Sequence, residues 1–313
     1  MEEAGSPGLR KNLLPKTGEL AALIVDEFPV HRSYLDAALA TMDASEMLAL
    51  ERYLDYCVCI GLSVSYLADA YLTIVGDTLR EQIYFQRHGH YRHATFDEVA
   101  NSVYFDSDYM SAYMYGLALT DYLWPNHRAI FRFFRETLPV DRSGSYLEIG
   151  PGHGYFLMTA ATTSSFTTFA GIDISKTSIA LTKSILEYSG VAAAGKMLDL
   201  RCIDFLDTEL EEDAWDAVVM GEVLEHVERP DVFMNQIARL AKPDAYIFIT
   251  TCINAPAVDH IFLFSNPTQL HELFRDAGLS IVREEVRAYE GKTLQECLDG
   301  RLAVNVAYVL RKS

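Results

Sequence analysis

The apolar positions of this chain follow two rhythms. From about Glu19 to Pro139 they recur at helical spacing. Ser45–Arg87 carries few breakers, and Ser107–Trp124 and Asn126–Leu138 follow it, with Pro125 punctuating between them. After Pro139 the pattern changes to short apolar runs: Tyr146–Ile149, Phe169–Asp173, Leu198–Ile203, Trp215–Met220 and Ala245–Thr250. The amphipathic stretch Tyr155–Thr162 follows the first of them. Buried strands joined through helices predict a parallel α/β sheet. Pro267–Ala277 then reads as a helix ending at Gly278, and Leu279–Val286 and Ala303–Arg311 alternate as strands. Residues 1–18 are polar, with Gly and Pro, and read as a flexible terminus. The expected organisation is a flexible segment 1–18, an all-helical domain or lid 19–139, and an α/β domain 140–313.

The first strand runs into Glu148 and then Gly150, Gly152 and Gly154. Glycines there let the backbone turn sharply and leave no side chain between it and a ligand. The second strand ends in Asp173, placed to accept hydrogen bonds from both hydroxyls of a ribose. The third ends in Asp204-Phe205, and the fourth is followed by Gly221-Glu222-Val223-Leu224-Glu225-His226-Val227. In this order the segments resemble class I S-adenosylmethionine (SAM) methyltransferases, and E-x-G-x-G-x-G resembles their motif I more than the dinucleotide G-x-G-x-x-G. A carboxylate at the strand end suits a cofactor carrying a sulfonium and an ammonium, whereas it would oppose a pyrophosphate. The resemblance covers about residues 140–313. It implies a seven-stranded Rossmann-like sheet with a reversed final strand pair and an N-terminal helical lid. It further implies SAM bound by Glu148, Gly150, Gly152, Gly154, Asp173, Ile174, Asp204, Phe205 and Glu222, with Asp204 meeting the adenine amino group and an apolar neighbour packing on the ring.

Charge narrows the substrate. The net charge is −18 over 313 residues, with no basic cluster. That argues against nucleic acid, whose phosphates need cationic surface, and against anionic membranes. No apolar run is long enough to span a bilayer, and the start does not read as a signal peptide. The five scattered cysteines are odd in number and lack paired spacing, which predicts reduced thiols and a cytoplasmic protein. The expected partner is a small-molecule substrate; a homodimer is compatible with the sequence, which does not fix the oligomeric state.

Two histidines carry the candidate chemistry. On a helical turn, Glu222, Glu225 and His226 would share a face, at i, i+3 and i+4. Asp259-His260 follows the fifth strand, and loops after strands four and five open on the same sheet edge. His226 and His260 are therefore the candidate catalytic residues, as general bases. With Glu222 and Glu225 they form a candidate site for Mg, Mn, Fe or Zn, the ligands being oxygen and imidazole. The ExxEH segment followed by D-H-aromatic resembles metal-assisted 2′-O-methyltransferases of small RNA and is similar to ubiquinone-pathway O-methyltransferases. Tyr109 and Tyr113, one helical turn apart, and Asn254, after the fifth strand, are the candidate substrate contacts. The tract H-G-H-Y-R-H at 88–93 has no local acid or cysteine to complete a metal site. The reading that results is a SAM-dependent O-methyltransferase acting on a hydroxyl of a small molecule in specialised metabolism. Its rivals are an N- or C-methyltransferase acting on an amine or an enolisable acid, and a SAM-binding protein that transfers no methyl.

Overall fold

The computed structural model describes residues 13–313. Helices come first: α1 (Pro15–Glu27), α2 (Arg32–Ala40), α3 (Ala44–Cys59), α4 (Val64–His88), α5 (Phe96–Val99), α6 (Ser107–Leu123) and α7 (Pro125–Thr137). The α/β part then runs β1 (Ser145–Ile149), α8 (Tyr155–Thr163), β2 (Thr168–Asp173), α9 (Lys176–Tyr188), β3 (Met197–Cys202), β4 (Trp215–Gly221), α10 (Pro230–Leu240), β5 (Ala241–Ile253), α11 (Pro267–Asp276), β6 (Leu279–Arg287), α12 (Leu294–Gly300) and β7 (Val304–Lys312). The chain divides into two compact units. One holds the residues up to Gly76 together with Ala112–Arg128; the other holds Asp77–Ser111 and Ala129–Ser313. This division differs from the expected boundary at 139/140, since residues 77–111 and 129–139 group with the sheet. Likewise α1 begins at Pro15, inside the segment expected to be flexible; residues 1–12 of that segment lie outside the described residues.

In the first unit, buried polar groups satisfy helix ends. Glu51 on α3 accepts the backbone N–H groups of Lys16 and Thr17, both at 2.9 Å, and the Thr17 hydroxyl at 2.8 Å. A carboxylate at the start of α1 thus takes donors that have no partner inside the helix. The buried Arg128 donates to the carbonyls of Ala38 (3.1 Å) and Tyr122 (2.9 Å). The run Ser45–Arg87 is two helices, not one. Gly61, at φ 96°, lets Leu62 N–H reach back to the Cys57 carbonyl (3.0 Å) and so ends α3.

The second unit is built on a seven-stranded sheet of order β3-β2-β1-β4-β5-β7-β6, as expected from the sequence. The strands β1 to β5 run parallel to one another, and β7 runs antiparallel between β5 and β6. The central strands are buried along almost their whole length, as in sheets covered on both faces. Strand order reverses between β1 and β4, and in open α/β sheets ligands bind at the carboxyl edge of such a switch point.

Aromatic packing ties α7 to the sheet. The Phe134 ring lies 4.8 Å from Phe156 on α8 and 5.1 Å from Phe248 on β5, and Phe131 stacks on Tyr155 at 4.4 Å. Phe134 is fully buried. Phe134→Ala should therefore lower the unfolding free energy by about 3–5 kcal/mol. Denaturant titration of wild type and variant checks this; a loss under about 1 kcal/mol would mean that α7 is not part of this core.

Candidate active site

The glycine loop joins β1 to α8. Its three glycines all adopt left-handed backbone, at φ 65°, 54° and 80° for Gly150, Gly152 and Gly154. A Cβ at Gly150 would lie 2.6 Å from Val223 Cγ2, so the segment after β4 packs directly on this loop. A Cβ at Gly154 would lie 2.8 Å from the Thr182 Cα, which sets the close approach of α8 to α9.

Glu148 sits beneath the loop and faces protein. It is buried, accepts the Tyr146 hydroxyl at 2.6 Å and takes support from the Leu157 N–H in the first turn of α8. Burial pushes its carboxyl up to about 8 despite these donors. Its contacts brace the loop. Asp173, at the end of β2, accepts the N–H of Ser175 at 2.8 Å and of Gly152 at 3.3 Å. Burial raises it to about 6, against the lowering effect of those backbone donors. An ionised carboxylate has about four lone-pair sites, so the backbone donors at Asp173 leave capacity for a further hydroxyl donor. Ile174 follows, half-buried.

Asp204 is exposed at the end of β3, where it caps a short turn by accepting Leu206 N–H at 2.9 Å. Phe205 turns inward against Phe233, ring centroids 5.4 Å apart, with 3% of its surface exposed. That corrects its expected place on a ligand ring. The exposed apolar neighbours of Asp204 are Ile203 and Leu206.

The acids after β4 do not lie on a helix face. Glu222 is left-handed at φ 50°, and only Leu224–His226 form a 3₁₀ turn. Tertiary contacts gather them instead. Glu222 accepts the Thr250 hydroxyl, and Glu225 accepts the Thr251 hydroxyl at 2.7 Å, both from the end of β5. Glu225 is fully buried, and burial beside Glu222 holds its carboxyl well above the usual range. The Glu225 backbone carbonyl accepts the N–H groups of Ile261 (2.9 Å) and Phe262 (3.0 Å). This double bond to the loop after β5 sets His226 against His260, with ring centroids 4.7 Å apart and planes at 87°.

Each imidazole is held through Nδ1. His260 Nδ1 lies 2.6 Å from the Ala255 carbonyl, and His226 Nδ1 lies 3.1 Å from the Asp259 carbonyl. A carbonyl only accepts, so both Nδ1 atoms carry a proton, and the neutral imidazole with that tautomer keeps a lone pair on Nε2. Burial lowers His260 to about 3, so it stays neutral. One ligand atom from each of Glu225, His226 and His260 lies within 4.8 Å of the others; Glu222 groups instead with Glu225 and Cys252. Of the four expected metal ligands, three therefore converge. The donor set suits a borderline divalent cation, and imidazoles braced at Nδ1 are a usual feature of such sites.

Residues from the helical half of the chain complete the site within the second unit. Tyr104 reaches His226 and Asp259, and the Tyr91 ring packs edge-on against His260 at 5.8 Å. From the histidine tract it is this tyrosine that reaches the site; His88 packs on Tyr84 and His90 bonds the Tyr91 carbonyl. Tyr109 donates to Asp77 at 2.6 Å, and its phenol is raised by burial, then by Asp77, with Asp259 contributing. Tyr113 belongs to the first unit and is buried. Asn254 is buried and left-handed at φ 51°, its N–H on the Phe264 carbonyl, where it turns the chain towards Ala255 and His260. Tyr104, Tyr91 and Asp259 were not singled out as site residues by spacing; their signals were the D-H-aromatic segment for Asp259, the histidine tract for Tyr91 and the tyrosine-rich stretch before α7 for Tyr104.

Known proteins give the same class. Residues 125–284 match the family described as Methyltransferase domain. The ubiquinone biosynthesis O-methyltransferase of Chromobacterium violaceum is 27% identical over 56% of this chain and 83% of its own length. The EEF1A lysine methyltransferase 2 of Danio rerio is 25% identical over 52% of this chain and 66% of its own. Among solved structures, the Haemonchus contortus phosphoethanolamine N-methyltransferase 2, in complex with phosphomonomethylethanolamine and S-adenosylhomocysteine, shares the fold. Its TM-score is 0.50 at 16% identity, over 70% of this chain and 61% of that one. A glycine loop of left-handed residues, acids at successive strand ends and a matching family span all agree: the chain belongs to the methyltransferase-domain family and is a SAM-dependent methyltransferase.

Proposed function

We propose that this protein transfers the SAM methyl group to a hydroxyl of a small organic molecule, of the kind made in specialised metabolism, with His226 as the general base. The observation that carries this reading is the bond from His226 Nδ1 to the Asp259 carbonyl, which leaves Nε2 free to accept a proton. The 222–226 segment packs on the glycine loop, so that imidazole belongs to the same crevice as the cofactor loop. The relative that is an O-methyltransferase adds support. The lysine methyltransferase among the relatives keeps nitrogen as the second class of acceptor. The five cysteines, all unpaired, support the cytoplasmic reading, and no single helix among the described residues is long and apolar enough to cross a membrane.

SAM, when bound, supplies an electrophilic methyl on a sulfonium. Asp173 would accept from the ribose hydroxyls, Asp204 would meet the adenine amino group, and the glycine loop would lie against the cofactor with no intervening side chain. Glu148 acts through the loop that it braces. Tyr91, Tyr104 and Tyr109 would wall the acceptor side. As the acceptor oxygen takes the methyl, its proton passes to His226 Nε2. Most of the rate gain comes from holding the oxygen in line with the methyl, and base assistance adds about 10²–10⁴-fold.

A second reading rests on the convergence of Glu225, His226 and His260. These three could hold Mg, Mn, Fe or Zn, which would bind and acidify the acceptor hydroxyl. Dialysis against a strong chelator, with metal loss verified, separates the two: base catalysis predicts full retained transfer, and the metal reading predicts loss restored by one cation.

Two further outcomes are expected. Because Asp173 stands near pH 6 when ligand-free, and a ribose diol favours its ionised form, cofactor affinity should rise as pH rises through about 6. Calorimetry with S-adenosylhomocysteine from pH 5 to 8 reads this. Asp173→Ala should abolish the pH step and weaken binding by about 1.5–3 kcal/mol for each hydrogen bond removed. Wild-type affinity in that variant would remove Asp173 from the cofactor site.

His226→Gln should keep S-adenosylhomocysteine affinity and reduce methyl transfer by about 10²–10⁴-fold. The assay uses methyl-labelled SAM and a panel of phenols, alcohols and amines, with the labelled atom located by mass spectrometry. Undiminished transfer, or transfer to amines alone, would overturn the oxygen-base reading.

A further inference from the structure

The His226 imidazole meets a residue from outside the span that matches the methyltransferase family, which begins at residue 125. Tyr104 ends the five-residue turn Ala100–Tyr104, closed by Phe105 N–H on the Ala100 carbonyl at 2.9 Å. Such wide turns place a side chain where an α-helix would not. The segment is anchored at both ends of its contact. Phe96 N–H donates to the Glu228 carboxylate at 3.0 Å, and the Phe96 ring packs on Tyr104 at 5.4 Å.

The Tyr104 hydroxyl has two neighbours. It donates to Asp259 Oδ2 at 3.1 Å and lies 3.0 Å from His226 Nδ1. A hydroxyl has a single proton. With that proton on Asp259, Tyr104 can show His226 only a lone pair, and so it accepts from Nδ1–H together with the Asp259 carbonyl. Asp259 is buried, its side chain 2% exposed, and its Oδ2 lies 3.4 Å from the same Nδ1. Tyr104 also stands edge-on to the imidazole, ring centroids 6.4 Å apart at 89°, so the two rings pack as well as bond.

We infer that Tyr104 and Asp259 are a positioning pair: Asp259 fixes the direction of the Tyr104 O–H, and Tyr104 in turn holds His226 in the tautomer whose Nε2 is free. The pair acts through His226 and touches no reacting atom. The wiring predicts an effect that simple packing does not. Removing the Asp259 carboxylate releases the Tyr104 proton, which can then donate to Nδ1 and drive the imidazole to the Nε2–H form. Removing both groups leaves the Asp259 backbone carbonyl as sole partner and restores the Nδ1–H form.

This deepens the reading of His226 as base, yet its test does not depend on an acceptor. Long-range ¹H–¹⁵N spectra of the full-length, histidine-labelled protein report the tautomer of each imidazole, with His226→Gln assigning the signal. The wild type and Tyr104→Phe should show Nδ1–H at His226. Asp259→Ala should shift the tautomer ratio towards Nε2–H by roughly fivefold or more, the size expected for one hydrogen bond. The double variant Tyr104→Phe/Asp259→Ala should return to the wild-type ratio. Nε2–H in the wild type, or no difference between Asp259→Ala and the double variant, would overturn the proposal. Should Asp259→Ala fail to fold, Asp259→Leu, of similar size and without an acceptor for the Tyr104 proton, takes its place; an unchanged ratio there overturns the proposal. If the tautomers follow the wiring but His226→Gln retains full transfer, the base reading fails and the positioning pair stands.

Discussion

One buried acid organises the candidate site. Glu225 is enclosed by protein, and its backbone carbonyl takes two consecutive N–H groups, from Ile261 and Phe262, while its carboxyl rests on Thr251. A backbone carbonyl has two lone pairs, and here both are used by one neighbouring loop. The loops after β4 and β5 are thereby fastened at a single residue, and the histidines on either side of that fastening, His226 and His260, cannot move apart without breaking it. Burial, and then the neighbouring Glu222, hold the carboxyl well above the usual range. A neutral acid can stay in the core at little cost, where an unpaired carboxylate could not.

Around that fastening the protein concentrates acids: Asp173, Glu222, Glu225 and Asp259 lie at or after the carboxyl ends of β2, β4 and β5. The same edge carries the glycine loop. Such a setting favours a ligand with positive charge, and it matches an overall charge of −18. It also explains why several of these carboxyls are raised. Burial is the main cause at Asp173, Glu222 and Glu225, and the hydroxyls of Thr250 and Thr251 only partly compensate at the two glutamates.

The helical half contributes in two separate ways. Its residues 77–111 and 129–139 belong to the compact unit of the sheet, and they carry the tyrosines that stand against the histidines. The remaining helices form the other unit, in which buried Glu51 and Arg128 satisfy helix ends. The family match spans residues 125–284, while Tyr91 and Tyr104, which contact His260 and His226, lie before that span.

What could be read from the sequence was local in origin. Strand and helix periodicity, three glycines at alternate positions and an acid at the end of each early strand are short-range patterns, and the fold class and the cofactor edge follow from them. The same locality misled in definite places. Ser45–Arg87 reads as helical with few breakers, and the break at Gly61 becomes definite only when its neighbours show a capping turn. The spacing of Glu222, Glu225 and His226 suggested a helix face, but Glu222 adopts a left-handed backbone that only its contacts with β5 make worthwhile. Phe205 was placed on a ligand because of its position after Asp204, yet the nearby Phe233 draws it into the core. The union of Tyr104 with His226 and Asp259 spans 122 and 155 residues. No spacing rule reaches across such distances, because they are closed only when the sheet is assembled and the turn at 100–104 docks upon its edge.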